Sequence, residues 1–133
     1  ADLLEIETRA RAAERGLWGR REYRPMSVRA ASAAALAADI NCLRVAAPYR
    51  VIEGRVREAR SFERRAALTM EGTPPDAPPF SLVVFGEGFS TWDGPQLNSL
   101  TGARVRVRGP LGVYRGEPQL CLDHSSQLEV LAD

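Results

Sequence analysis

From Pro48 onward the chain is built of short apolar runs separated by turn residues, and this punctuation limits the fold more than any other feature of the sequence. It calls for short strands rather than long helices. Val51–Arg60 alternates, with Ile52 and Val56 facing one way and Val51, Glu53, Arg55 and Arg57 the other. Ala66–Met70 is a second run. The stretch Gly72–Pro79 holds Pro74, Pro75, Pro78 and Pro79 and cannot enter a sheet interior, because proline donates no ladder hydrogen bond. Ser81–Phe85 is apolar on both faces and reads as a central strand. Gly86–Leu100 lacks alternation and accommodates a short helix. Ala103–Gly109 is the cleanest strand, with Val105 and Val107 inward and Arg104, Arg106 and Arg108 outward. Tyr114-Arg115-Gly116-Glu117 is a hairpin turn into Gln119–Leu122, and Gln127–Leu131 is a last short strand.

Three strands, a helical excursion and a two-stranded hairpin are the order of an OB-fold. The expected fold is mostly β: a five-stranded Greek-key barrel over residues 49–133 with an N-terminal helical extension. In that extension Leu3, Ile6, Ala10, Ala13 and Leu17 share one face of a helix from Asp2 to Arg15 that ends at Gly16. Residues 20–48 read as a linker holding an Ala-rich helix, capped by Ser27 and running to about Ala38. The chain opens in mid-pattern, as a piece of a longer protein does. The apolar face of the first helix, with Trp18, calls for a partner: the barrel, the second helix or another copy of the chain.

Charge restrains the functional reading. All eighteen basic residues are Arg, against seventeen acids, for a net charge of +1. Residues 51–133 hold nine Arg and eleven acids, a net of −2, so nucleic-acid binding there requires a local patch. No run approaches the roughly 18 apolar residues of a membrane span. With two cysteines, no CxxC pair and one histidine, structural zinc has too few ligands, and no cofactor is expected. Cys42 and Cys121 allow either one disulfide or two buried free thiols.

Two stretches carry a family resemblance. Ala10-Arg11-Ala12-Ala13-Glu14-Arg15-Gly16-Leu17-Trp18-Gly19 resembles the final helix of staphylococcal-nuclease-like (thermonuclease) domains. Gly102–Gly109, Tyr114–Leu120 and His124–Leu131 are similar to OB-type nucleic-acid-binding modules, in particular those that follow such nuclease domains in bacterial proteins. The resemblance implies that residues 1–19 are the last helix of a nuclease-like domain, that this domain is a natural partner, and that the location is extracytoplasmic. The family's paired aspartates, two arginines and glutamate belong to the barrel preceding its last helix. Asp93-Gly94 lacks a companion acid, so no catalytic residue carries over and the chain is not expected to be an enzyme.

The remaining candidates are binding residues. Lone His124 reads as a turn residue of Asp123-His124-Ser125-Ser126. Glu53, Glu58, Glu63 and Glu71 lie beside arginines and read as exposed ion pairs. OB-folds bind strands on the face of their second and third strands and on the loops joining strands one to two and four to five. Here the first loop offers Arg60, Phe62, Arg64 and Arg65, and the second offers Tyr114 and Arg115: rings for base stacking and guanidinium groups for phosphates. Arg104, Arg106 and Arg108 form a second basic stripe, either a phosphate track or a solvated strand face. The expected function is a non-catalytic accessory module that weakly binds single-stranded nucleic acid. The rival is an OB barrel used for protein–protein or interdomain packing.

Overall fold

The protein is described by a computed structural model that covers residues 24–61, 65–85, 92 and 94–132. Strand β1 (Met26–Ser27) leads into helix α1 (Val28–Ala38). Next come β2 (Tyr49–Ser61), β3 (Arg65–Met70), β4 (Ser81–Phe85), helix α2 (Gly94–Ser99), β5 (Arg104–Tyr114), β6 (Glu117–Leu122), a 3-10 turn (Ser125–Gln127) and β7 (Leu128–Val130).

The ladders close on themselves. β2 pairs antiparallel with both β3 and β5, β3 with β4, and β5 with β6, while β4 and β6 run parallel. Two long strands make closure feasible. β2 serves β5 over Tyr49–Arg55 and β3 from Val56, with a register shift between Val56 and Glu58 where it bends. β5 outruns the expected Ala103–Gly109 because it changes partner along one edge, from β7 at Val105–Val107 to β6 at Leu111–Tyr114. The barrel is an OB-fold. β1 adds a parallel strand beside Ile52 and Glu53, and β7 an antiparallel one.

The alternation read in the sequence sets the interior. Ile52 and Val56, Leu68 and Met70, Leu82 and Val84, Val105 and Val107, and Leu120 and Leu122 are buried in one cluster. α2 adds Leu97, followed by Leu100, and α1 adds Val28, Ala31 and Ala35. Ser27 caps α1, its Oγ accepting from the Ala30 N–H at 3.1 Å. The small alanine face lets α1 lie close on β5 and β6. At Gly54, whose inward side is occupied by the Val28 side chain, there is no room for a Cβ. The expected helix Asp2–Arg15 and the Gly16–Trp18 segment lie outside the described residues.

The cysteine alternatives resolve in favour of a disulfide. Cys42 and Cys121 are bonded, with Cα atoms 5.9 Å apart across a sequence separation of 79. In the chain-entropy picture a loop of that length is worth about 4.5 kcal/mol to the folded state. His124 is a turn residue, as expected: its Nδ1 accepts from the Ser126 N–H at 2.9 Å. Gln127 Oε1 accepts from the Asp123 and His124 amides, and its Nε2 donates to the Arg108 carbonyl at 3.0 Å, which fixes the exit of the chain on β5.

Candidate functional site

A groove of about 360 Å³ lies on the outer face of β3, β4 and β6. Its position follows from register. Leu68, Leu82 and Leu120 are cross-strand partners and point inward, so the intervening Ala67, Ser81, Val83 and Gln119 point outward and form the floor. Small residues at Ala67 and Ser81 leave the floor low. Val83 is therefore only half-buried, although the sequence of β4 reads as apolar on both faces.

The β5–β6 hairpin makes one wall. Its turn places Arg115 at φ 52° and Gly116 at φ 80°, positive at both central positions, as in the type I′ class of two-residue hairpin loops. This presents Tyr114, 51% exposed, at the groove's edge. The Arg115 guanidinium stacks over the Tyr114 ring, 5.3 Å from its centroid, within cation–π range.

A second wall comes from the segment between α1 and β2. It crosses the outer face of β5 and β6 and brings Asn41 and Leu43 to the groove. Three features hold it there. Gly112 offers no side chain where the backbone of Ile40 and Cys42 passes over β5. The Val113 amide donates to the Ile40 carbonyl at 2.8 Å. Cys121, outward-facing beside Val83, carries the bond to Cys42.

The residues expected to bind divide into two groups. Arg65 lines the groove at the start of β3, and Tyr114 lines its wall. Arg60 pairs in register with Ala67 of the floor, its Nε donating to Glu58 Oε1 at 2.9 Å on an exposed surface. Arg115 reaches the site through its stack on Tyr114. Phe62 and Arg64 lie outside the described residues, in the connection that leads directly into Arg65. Asn41, Leu43, Ala67, Val83 and Gln119 escaped sequence reasoning. Only the cysteine between Asn41 and Leu43 hinted that this segment is fastened to another.

In the second basic stripe, Arg104 and Arg106 face carboxylates. Arg106 donates from Nε to Glu53 Oε1 at 2.7 Å and from Nη1 to Glu129 Oε1 at 3.1 Å, and Arg104 stands 3.7 Å from Glu53. The register of β2, β5 and β7 sets this neutralisation, aligning Glu53 and Glu129 with Arg106. Among the described residues there is no cluster of three or more His, Cys, Asp or Glu side chains able to hold a metal ion. No helix among them is long and apolar enough to cross a membrane.

No protein-family model and no curated protein matches the sequence. Among solved structures the chain is similar to a protein described as an aspartyl-tRNA synthetase from Leishmania major Friedlin, with a TM-score of 0.51 and 11% identity over 80% of this chain and 20% of that one. It is also similar to the S. pombe Stn1–Ten1 complex, with a TM-score of 0.48 and 22% identity over 64% and 59% of the two chains. A third similarity, to the p204 HINb domain, has a TM-score of 0.47 and 16% identity over 66% and 42%. In each case the chain spans less than two thirds of the length of the chain it matches. The likeness to the synthetase concerns fold alone and accords with the ladder order.

Proposed function

We propose that this chain is a non-catalytic OB-fold module that binds single-stranded nucleic acid in the groove over β3, β4 and β6. The observation that carries the reading is the half-exposed Tyr114, stacked by Arg115 at the rim, on the face and loop where OB-folds hold strands. A base stacks on the ring, and Arg60, Arg65 and Arg115 contact phosphates along the groove. Affinity is low, because Glu58 and Glu117 stand beside these arginines and residues 51–133 are net acidic.

We further infer that the module serves a thermonuclease-like parent, a reading supported by the resemblance of residues 10–19 to the closing helix of such a domain. The Cys42–Cys121 bond supports an oxidising, extracytoplasmic setting. Titration of the full chain with a fluorescently labelled deoxythymidine oligomer of about 12 nucleotides tests the reading, since OB sites span up to about 16. Binding at low salt that is lost with Tyr114→Ala sustains it. Absence of binding at low salt overturns it in favour of an interaction module, a role that the exposed Leu43 and Val45 and the net negative barrel favour.

A further inference from the structure

The segment of residues 40–48 crosses the outer face of the barrel over β5. Its two ends are tied to β5: the Val113 amide donates to the Ile40 carbonyl and the Leu111 amide to the Pro48 carbonyl, both at 2.8 Å. Between those anchors its hydrogen bonds are mostly internal. Asn41 Oδ1 accepts from Leu43, the Asn41 carbonyl from Arg44, and the Arg44 carbonyl from Ala47. Among the described residues, the polar and covalent ties from this interval to the rest of the barrel are at Cys42: the bond to Cys121 and the Gln119 Nε2 contact on its Sγ at 3.4 Å. Leu43 is 63% exposed and Val45 fully so, so little apolar burial adds to them. Asn41 and Leu43 flank Cys42 directly, and both line the groove.

We propose that the Cys42–Cys121 bond is the latch that builds this wall, so that the groove binds its strand in the oxidised chain and loses grip when the bond is reduced. The inference rests on the nucleic-acid reading above and names the regulation of that same site. The chemistry is ordinary exchange with a dithiol reductant. One of its thiolates attacks a cysteine sulfur, and its second thiol then displaces the mixed disulfide. Two protein thiols are left, and the dithiol becomes a disulfide. Both cysteines are 2% exposed, so the reductant enters only when the segment lifts. The latch is therefore set when the chain folds and oxidises, and it does not cycle rapidly.

The experiment compares the oxidised full chain, the chain reduced with dithiothreitol, and the Cys42→Ser/Cys121→Ser double variant. Two quantities are read: hydrogen exchange over residues 40–48 and affinity for the labelled deoxythymidine oligomer. An oxidised Leu43→Ala variant, which keeps the bond and trims a side chain that is mostly exposed, tests the wall without risk to folding. Exchange over 40–48 should rise by roughly tenfold or more on reduction, because local opening then replaces a covalent tie. Affinity should fall several-fold, and Leu43→Ala should reproduce part of that fall in the oxidised state. Exchange that does not change on reduction overturns the latch. Raised exchange with unchanged affinity overturns the wall's role in binding. Failure of the oxidised chain to bind at all overturns the nucleic-acid reading, and the latch with it, whereas binding indifferent to the loss of Cys42 overturns the latch alone.

Discussion

Arg106 and Glu53 meet in register across the β2–β5 ladder, Nε to Oε1 at 2.7 Å, and Glu129 takes Nη1 of the same guanidinium at 3.1 Å. The hydrogen bond to Glu53 is the main cause holding the Arg106 pKa above its ordinary value; burial opposes it, and the charges of Glu53 and Glu129 reinforce it. A guanidinium committed to two carboxylates offers little to a phosphate. Arg106→Ala should therefore leave oligonucleotide affinity within about twofold while lowering stability by about 0.5–1 kcal/mol, as expected for a half-exposed pair. Urea denaturation and anisotropy titration check the two halves. A tenfold loss of affinity would move the ligand to this face.

Tyr114 and Arg115 separate stacking from charge. Tyr114→Ala should weaken binding by roughly tenfold or more, since one stacked base is worth about 1–3 kcal/mol. Tyr114→Phe should preserve most of it, because the ring carries the interaction. Neither change should move the melting temperature by more than a few degrees, because the side chain stands half in solvent.

Arg115 has a second property: a backbone at φ 52°, a conformation that asparagine tolerates better than arginine. Arg115→Asn should raise stability by a few tenths of a kcal/mol and lower affinity through loss of the cation. Opposite signs in melting and binding would show that the charge serves the ligand and not the hairpin. A loss in both would assign Arg115 to the fold.

The barrel was legible because its interior repeats with period two, as at Ile52 and Val56 or Val105 and Val107, and because Arg115-Gly116 and Ser27 announce a hairpin and a helix start by local chemistry. Of the groove's lining, Arg65 and Tyr114 were legible, where loop position and residue type coincide. What escaped depends on register between distant segments. Glu53 and Glu129 neutralise Arg106 only once β2, β5 and β7 are aligned. The floor residues Ala67, Val83 and Gln119 are ordinary strand residues until the segment bonded to Cys121 walls them in. Gly112 lies beyond the strand Ala103–Gly109 read in the sequence, and only the passage of Cys42 over it gives the missing side chain a purpose.

Helix α1 is part of the core and not a tether, and Gly54 tests this. A Cβ there runs into the Val28 side chain and comes within 3.2 Å of Met70 Cε. Gly54→Ala should destabilise the chain by about 1–3 kcal/mol, the usual cost of overpacking a filled interior. Gly54→Ala combined with Val28→Ala should recover part of the loss, because the clashing methyl is removed. Equal stability of the single variant and the parent chain in chemical denaturation would mean that α1 yields easily and contributes little to the barrel.

Salt dependence tests the proposed contact set as a whole. Arg60, Arg65 and Arg115 supply about three phosphate contacts, and single strands release about 0.7 counterion per contact, so log Kd should rise with log salt at a slope near 2. One stacked ring adds a few kcal/mol before ordering costs, which places the low-salt Kd near micromolar. From 20 to 150 mM salt, a slope of about 2 costs more than an order of magnitude, so binding should be marginal at physiological ionic strength. Removing Arg65 by Arg65→Ala should lower the slope by about 0.7 and weaken binding to every sequence alike. A slope near zero with retained affinity would mean that an apolar or protein ligand occupies the groove. A slope well above 3 would mean that arginines beyond these three, with the Arg104 and Arg108 side of the barrel among the candidates, join the contact.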